Sequence, residues 1–510
     1  MFIQNNLLSF PLTSFTLIFD FSPQNKLIAL AFLIIAVVTG LYAVSQNRKT
    51  EALIGSLYCL SSLTCLFAGD FISMVIFLEF MTIFACVLIF YGDRANSMKF
   101  ARQYFLTHLF SSGLILIGIS FIIAKTNDIK IISLTELASN YDLPAILILI
   151  GCLINIGCVF FNGWMVNCYP AVSSSSFIYL ISFTSKVGAI ILLKLFSGLA
   201  ILKFFGIAMI IYGMIYALIE QNLKRLLCYL NIAQLGFIVI AISINSNMLA
   251  YAVTGFLFIH ILYNGLLAIY IAVITDSQNI KNYSELKNIS LLQHPILLIS
   301  LIVGISIAAG LPIFASFTTK IALMNLIEDN IGYYAVLFLK ISSCIILFSI
   351  FLEHGFLSKP STNSVKFPVN FILLIFLITT LTICLLLPQI LLITWQGYPL
   401  QILEIQKPEI VKQIIIIIAS VISVLIFRKI PRFSTKSINL DLFQLSEITI
   451  RYLADKYKKE NIEQEEAQQY SYLKPFIQNI LHKITAFHNQ QASIFMVVFL
   501  LISLIVTFMI

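Results

Sequence analysis

From Phe71 to Phe90 the chain reads FISMVIFLEFMTIFACVLIF, twenty residues with a single acidic side chain and no basic one among them. A helix rises about 1.5 Å per residue and the hydrocarbon core of a bilayer is about 30 Å thick, so a run of this length spans it. In lipid each backbone N–H and C=O must find its partner within the protein, and a helix provides those partners along the segment itself. Glu79 sits inside this run, with eight uncharged residues before it and thirteen after. A carboxyl group at that depth is costly and by default marks a functional position, with a basic partner expected in another membrane segment.

The run is one of many. Of 510 residues, 60% are hydrophobic and 11% are charged. A soluble domain carries about 25% charged residues, so the composition specifies a polytopic membrane protein. Apolar spans are expected near 26–46, 51–68, 70–91, 103–124, 143–165, 173–197, 199–219, 227–246, 249–274, 295–328, 332–353, 368–391, 411–427 and 493–510. That is about fourteen crossings of an all-α fold. Residues 1–25 are interrupted by Pro11 and Pro23 and read as a short extended or hairpin segment at the membrane surface.

The net charge of +8 is spread over short loops, which argues against nucleic-acid binding and for topology signals. Placing the Arg48–Lys49 loop in the cytoplasm also puts Arg94, Lys99, Arg102, Lys224, Arg225, Lys281, Lys287, Lys359 and Lys366 there. The charged stretch 428–492 then reads as an amphipathic cytoplasmic linker ahead of a final crossing at 493–510. The nine cysteines form no C-x-x-C pair, and no metal or iron–sulfur ligand pattern accompanies them. No nucleotide loop, flavin fingerprint or haem pattern occurs either, so no cofactor is expected and the chain is not expected to be an enzyme by itself.

Two blocks share a layout. Residues 51–197 and 199–353 each hold five expected crossings, each with an irregular Pro-containing stretch before its last crossing: CYPAVSSSSF around Pro170 and GLPIFASF around Pro312. A lysine follows each, Lys186 and Lys320. An odd number of crossings makes such a repeat inverted, and inverted repeats with broken helices are a transporter architecture. Residues 1–50 then hold the N-terminal segment and first helix, and 354–427 hold additional helices.

Ionisable residues at membrane depth suggest a proton path. Glu79, Lys186, His260 and Lys320 are its expected members, with Asp70, Asn264 and Lys340 as accessory positions. Asp70, at the mouth of its span, also reads as a helix N-cap. Burial disfavours the charged forms of such groups and nearby opposite charge restores them, so a relay can work by making and breaking pairs.

At these residues the chain resembles the proton-conducting membrane subunits shared by NADH-quinone oxidoreductase (its M, N and L subunits) and the Mrp-type multisubunit cation/proton antiporters. The matching segments, in order, are DFISMVIFLEFM from Asp70, WMVNCYPAVSSSSFIYLISFTSKVG from Trp164, NLKRLLCYLNIAQLGF from Asn222 and SIAAGLPIFASFTTK from Ser306. The resemblance covers roughly residues 15–430. It implies that Glu79 is the family's essential glutamate, Lys186 its connecting lysine and Lys320 the lysine of the second broken helix. It also exposes departures: Asn155 stands where the family has a lysine paired with the glutamate, Asn162 where it has a histidine, and Asn264 or Leu267 where a further lysine is expected. Without a lysine at 155, Lys186 becomes the nearest basic candidate for Glu79. The segment INLDLFQLSEITIRYL, from Ile438, is similar to the tail of the D-type branch of the antiporters.

The resemblance thus implies an ion-translocating, D-type subunit of a monovalent cation/proton antiporter. It is expected in the bacterial inner membrane and beside other membrane subunits, which exchange for Na+ or K+ would require. A proton-pumping subunit of NADH-quinone oxidoreductase and a non-transporting structural subunit are the alternatives.

Overall fold

The computed structural model describes residues 2–426, apart from 5–6, 13–14, 93–96, 289–292, 328–329, 356–364, 366 and 395–406. The expected linker 428–492 and the last crossing 493–510 lie outside the described residues.

The chain opens on strands β1 (Phe2–Gln4), β2 (Leu7–Leu12) and β3 (Phe15–Asp20), an antiparallel sheet in that order with Leu8 opposite Phe19. This small sheet is the extended, hairpin-like segment expected of residues 1–25, and the rest of the described chain is helical, as the all-α expectation has it. Its last strand is fastened to the membrane helices: Gly69 N donates to Ile18 O at 2.8 Å, and Ile18 N donates to Asp70 Oδ2 at 2.7 Å.

Sixteen α-helices follow among the described residues. The first four are α1 (Pro23–Ser45), α2 (Lys49–Phe67), α3 (Phe71–Phe90) and α4 (Ser97–Thr126). Pro23 opens α1, where its missing N–H costs nothing. Asp70 caps α3 by accepting from Ser73 N at 2.7 Å. A short α5 (Thr135–Ser139) leads into α6 (Leu143–Ile156). A π turn (Trp164–Cys168) and a 3-10 turn (Tyr169–Ala171) then connect to α7 (Ser174–Ser182) and α8 (Thr184–Phe196). Next come α9 (Leu202–Ile219), α10 (Leu223–Ile242) and α11 (Leu249–Gln278). The second half holds α12 (Pro295–Ala309), α13 (Ala315–Met324), α14 (Asn330–Gly355), α15 (Phe367–Thr394) and α16 (Lys407–Ile426).

Eleven of the described helical segments are long and apolar enough to cross a membrane, counting α7–α8 as one, and α6 and α12 are shorter apolar helices. The expected crossing at 143–165 therefore stops short, at Ile156. The expected interruption of 295–328 falls at Gly310. Both short helices end in the same way. Gly157 (φ +80°) and Gly310 (φ +74°) take the left-handed conformation that glycine alone adopts without cost. The amides after each helix turn back onto it: Cys158 N donates to Leu153 O at 3.0 Å, and Leu311 N donates to Ser306 O at 3.1 Å.

The centre of the molecule is α7–α8, α10 and α11. These are buried over nearly their whole apolar length, while α16 is mostly exposed. A helix apolar on every side belongs inside a bundle, and a half-buried one faces lipid or a neighbour. The polar residues of the buried helices therefore meet one another instead of water.

Candidate functional site

Lys186 lies in the first turn of α8, just past the break at Phe183 (φ −111°, ψ −67°). The break leaves carbonyls of the last α7 turn without helical partners. Lys186 Nζ takes one of them, donating to Ile181 O at 2.5 Å, and also donates to Asn231 Oδ1 at 2.6 Å. The same Asn231 oxygen accepts from Asn264 Nδ2 at 3.1 Å. Asn231 is held in this orientation by its other end, where Nδ2 donates to Met165 Sδ at 3.3 Å. Helices α8, α10 and α11 are thus joined through one amide oxygen.

Beyond Asn231 and Asn264 lies a cavity of about 20 Å³, bounded also by Gln234, His260, Tyr263 and Ser343. That is room for one water molecule. Three buried atoms around it have no hydrogen-bond partner among the described residues: Gln234 Oε1, His260 Nδ1 and Tyr263 OH. An unsatisfied buried polar group costs about 1–3 kcal/mol, so three of them round one void fit a hydrated pocket. Ala308 closes the far side, and its carbonyl oxygen accepts from Lys320 Nζ. His260 is within electrostatic range of both Lys186 and Lys320.

Lys320 stands on α13, and its ammonium reaches back across the break to the free end of α12. Gln413 of α16 braces the same end, donating through Nε2 to Ala309 O at 2.7 Å. Lys340, buried on α14, is within electrostatic range of Lys320 and of Glu409 on α16. The structure therefore gathers Lys186, His260, Lys320, Asn264 and Lys340 along one buried polar line.

Glu79 stands apart from that line. It is half-buried on α3 and makes no ion pair among the described residues; its polar neighbour is Ser112 of α4. Lys186, the basic candidate for Glu79, is spoken for by Ile181 and Asn231. One turn before Ser112, His108 Nδ1 meets Asn155 Oδ1 at 2.9 Å. Asn155 is in the last turn of α6, and its backbone lies so close to Gly188 of α8 that a Cβ there would come within 3.0 Å. Trp164 Nε1 closes the region by donating to Ile154 O at 3.0 Å. Tyr58, Tyr104 and Thr184 share hydroxyl hydrogen bonds, with Tyr104 OH at 3.1 Å from Thr184 Oγ1.

Asp70 is engaged elsewhere. Besides Ser73 N and Ile18 N it accepts from Ser73 Oγ at 2.7 Å, so its oxygens fasten the head of α3 and the N-terminal sheet.

Sequence reasoning passed over several buried polar residues. His108, in FLTHLF, and Asn231 with Gln234, in YLNIAQLG, are polar groups inside apolar runs, which is the signal that singled out Glu79. A second cluster was not anticipated at all. Glu51 Oε2 accepts from Ser173 Oγ at 2.6 Å and from Ser175 and Ser176, and Asp276 Oδ1 accepts from Ser174 Oγ at 2.6 Å. Tyr42 OH donates to Asp276 Oδ2 at 2.9 Å, and Arg48 lies 3.5 Å from the same oxygen. This cluster ties α1, α2, α7 and α11 together at one end of the bundle.

Comparison with known proteins places the fold. Residues 68–346 match the family model described as NADH:quinone oxidoreductase/Mrp antiporter, TM. The chain belongs to that family. A similar relative is NADH-quinone oxidoreductase subunit N 1 of Thermodesulfovibrio yellowstonii, 31% identical over 237 residues that make up 43% of this chain and 51% of that protein. Another is subunit N of Francisella tularensis, 25% identical over 48% of this chain and 55% of that one. The chain thus spans about half the length of these curated relatives. A chain of the Mrp complex from a Dietzia species superimposes with a TM-score of 0.67 at 16% identity, over 81% of this chain and 89% of that one. A chain of respiratory complex I from Thermus thermophilus does so with a TM-score of 0.63 at 18% identity, over 75% and 88%. The membrane subunits' fold is therefore shared, and this is a multi-pass membrane protein.

Proposed function

We propose that the chain is an ion-translocating, D-type subunit of a multisubunit monovalent cation/proton antiporter. Protons move along the buried polar line within the membrane, with Glu79 as the entry carboxyl and Lys186, His260 and Lys320 as successive carriers. Asn155, Asn264 and Lys340 flank the carriers. The observation that carries this reading is the water-sized cavity between the Asn231–Asn264 amide pair and the carbonyl that holds Lys320. It lies between two lysines on different helices and is bounded by three otherwise unsatisfied polar atoms, one of them His260 Nδ1. Such an arrangement serves proton hopping and offers little to any chemistry needing a nucleophile or bound cofactor.

The matched ends of α6 and α12 support reading 51–197 and 199–353 as two related five-helix blocks, inverted in the membrane. Partner membrane subunits would supply exchange for Na+ or K+, and the bacterial relatives favour the inner membrane as its location.

A second reading, a proton-pumping subunit of NADH-quinone oxidoreductase, is favoured by the two curated relatives, both of which bear the name subunit N. Co-purification separates the two: flavin and iron–sulfur subunits in the same complex would establish the second. Transport itself is tested in everted vesicles bearing the assembled complex, with Glu79→Gln, Lys186→Ala and Lys320→Ala. Loss of proton flux in each is expected. Undiminished flux in assembled Glu79→Gln and Lys320→Ala complexes would leave a structural subunit as the answer.

A further inference from the structure

The polar line accounts for the passage from Lys186 to Lys320 but leaves Glu79 unconnected. The residue that resemblance would place between them, a lysine at 155, is an asparagine. An amide at 155 neither gains nor loses a proton as a base or acid near neutral pH. What stands beside it is His108 on the neighbouring helix α4, 2.9 Å from the amide oxygen.

Three features single out His108. Its ring is fully enclosed, in edge contact with Trp164 (centroids 4.7 Å apart) and tilted contact with Tyr104 (4.3 Å). Asn155 presents its carbonyl oxygen to Nδ1, which fixes the ring proton there and leaves the Nε2 lone pair free. Nε2 is buried with no hydrogen-bond partner among the described residues. A histidine needed only for packing would have no reason to expend one nitrogen on an amide and strand the other.

The face of α4 that carries His108 points both ways along the missing link. Ser112, one turn on, is the polar neighbour of Glu79, and its Oγ donates to His108 O at 2.9 Å. Tyr104, one turn back, is within 3.1 Å of Thr184 Oγ1, and Thr184 lies two residues before Lys186 on α8. Residues four apart share a helix face, so Tyr104, His108 and Ser112 form one polar stripe between Lys186 and Glu79.

We propose that His108 carries the proton between Glu79 and Lys186, replacing from α4 the function of a lysine at 155, with Asn155 as its positioning residue. This rests on the proton path proposed above. The Glu79 carboxyl gives up its proton and becomes a carboxylate. The proton adds to the Nε2 lone pair, and the resulting imidazolium keeps its Nδ1–H on Asn155 Oδ1. Nε2 then releases the proton through the Tyr104 and Thr184 hydroxyls, each passing one on as it receives one. The uncharged Lys186 amine takes it up as an ammonium, and the ring returns to its starting tautomer. Only O–H and N–H bonds are made and broken.

The test uses everted vesicles carrying the whole assembled complex, with proton uptake read by fluorescence quenching. His108→Gln is expected to lower flux roughly tenfold or more, the scale of losing one proton carrier. The double variant His108→Gln/Asn155→Lys is expected to recover most of it, because a lysine is put back where the imidazole was reaching. Full flux in His108→Gln overturns the proposal, and so does loss without recovery in the double variant, which would mark a merely structural histidine. Glu79→Gln and Lys186→Ala are measured alongside. If these too keep full flux, the proton path itself is wrong; if they abolish it while His108→Gln does not, only the role of His108 falls. Should His108→Gln fail to co-purify with its partners, Asn155→Leu carries the test, since it keeps the imidazole and removes only its acceptor. Reduced flux restored by Asn155→Lys is then expected, and unchanged flux in Asn155→Leu overturns the proposal.

Discussion

Lys186 and Asn264 share a single acceptor: Asn231 Oδ1 lies 2.6 Å from the lysine nitrogen and 3.1 Å from the amide nitrogen. Replacing Asn231 by leucine leaves the Lys186 ammonium with one backbone carbonyl and takes from Asn264 the acceptor it shares. Losing a hydrogen bond to a buried charged group costs roughly 1.5–3 kcal/mol. Asn231→Leu should therefore lower the melting temperature of the purified complex and abolish proton flux. Asn231→Asp should leave stability nearer to normal, because the new carboxylate meets the cation, yet still slow flux by holding that charge in place. A melting scan and a vesicle assay on the two variants separate these effects.

Asp70 offers the opposite outcome. Its oxygens cap α3 and hold the backbone of β3. Loss of an N-cap costs about 1 kcal/mol. Asp70→Ala should destabilise the protein by that order and open the 1–22 segment to protease, while assembled complexes keep normal proton flux. Strong loss of flux at unchanged stability would put Asp70 back on the proton path.

Gly310 has φ +74°, and a Cβ there would lie 3.4 Å from Lys320 Cδ and 3.7 Å from its Nζ. A side chain in the left-handed region costs roughly 1–2 kcal/mol. Gly310→Ala should lower stability by about that much, and flux by more than the stability loss explains, because relieving the strained φ shifts the end of α12, whose Ala308 carbonyl holds Lys320. Comparing flux per assembled complex with the melting temperature checks this.

Outside the membrane helices, Glu285 sits in a 3-10 turn (Tyr283–Asn288) between α11 and α12. Burial works against its ionisation. Hydrogen bonds from Lys281 N, from Asn282 Nδ2 and from Asn282 N outweigh that and hold its carboxyl below the usual range. A depressed folded-state pKa means that the stabilisation is present above the unfolded value, about 4.3, and is lost as pH falls through the lower folded one. The turn should therefore stay protected at pH 5 and above and open only on further acidification. Amide exchange of Lys281 and Asn282 against pH reads this, and Glu285→Gln should remove most of the pH dependence.

The membrane fold was legible because twenty apolar residues have few ways to be stable, and Phe71–Phe90 states that requirement outright. The break at Gly310 was legible too, with a proline two residues on. Gly157 was not: Pro170 drew attention to a point thirteen residues beyond it, and a lone glycine in an apolar run carries little signal until its φ is known. Lys186, His260 and Lys320 stood out as charges or imidazole in oil. Asn231 and Gln234 did not, because neutral amides hardly disturb hydropathy, although Asn231 holds the Lys186 amine and Gln234 lines the cavity. His108 was hidden for a related reason, one ring among phenylalanines and leucines. The cluster of Glu51, Asp276 and Ser173–Ser176 brings together residues from distant parts of the chain, and spacing along a sequence cannot reveal that.

The twin endings of α6 and α12 are finished differently. A helix end carries about half a negative charge on its unpaired carbonyls. At α12 that pole is met by the Lys320 ammonium, whereas at α6 it is met by the neutral Trp164 indole. The two halves of the bundle therefore differ electrostatically: the α12 end holds the Lys320 amine, and the α6 end, beside Asn155 and His108, holds a neutral donor. On the proton path proposed above, a positive charge entering from the Glu79 side would settle first at the α6 end and would have to leave it before displacing a proton on Lys320, an order of filling and emptying set by the two helix ends.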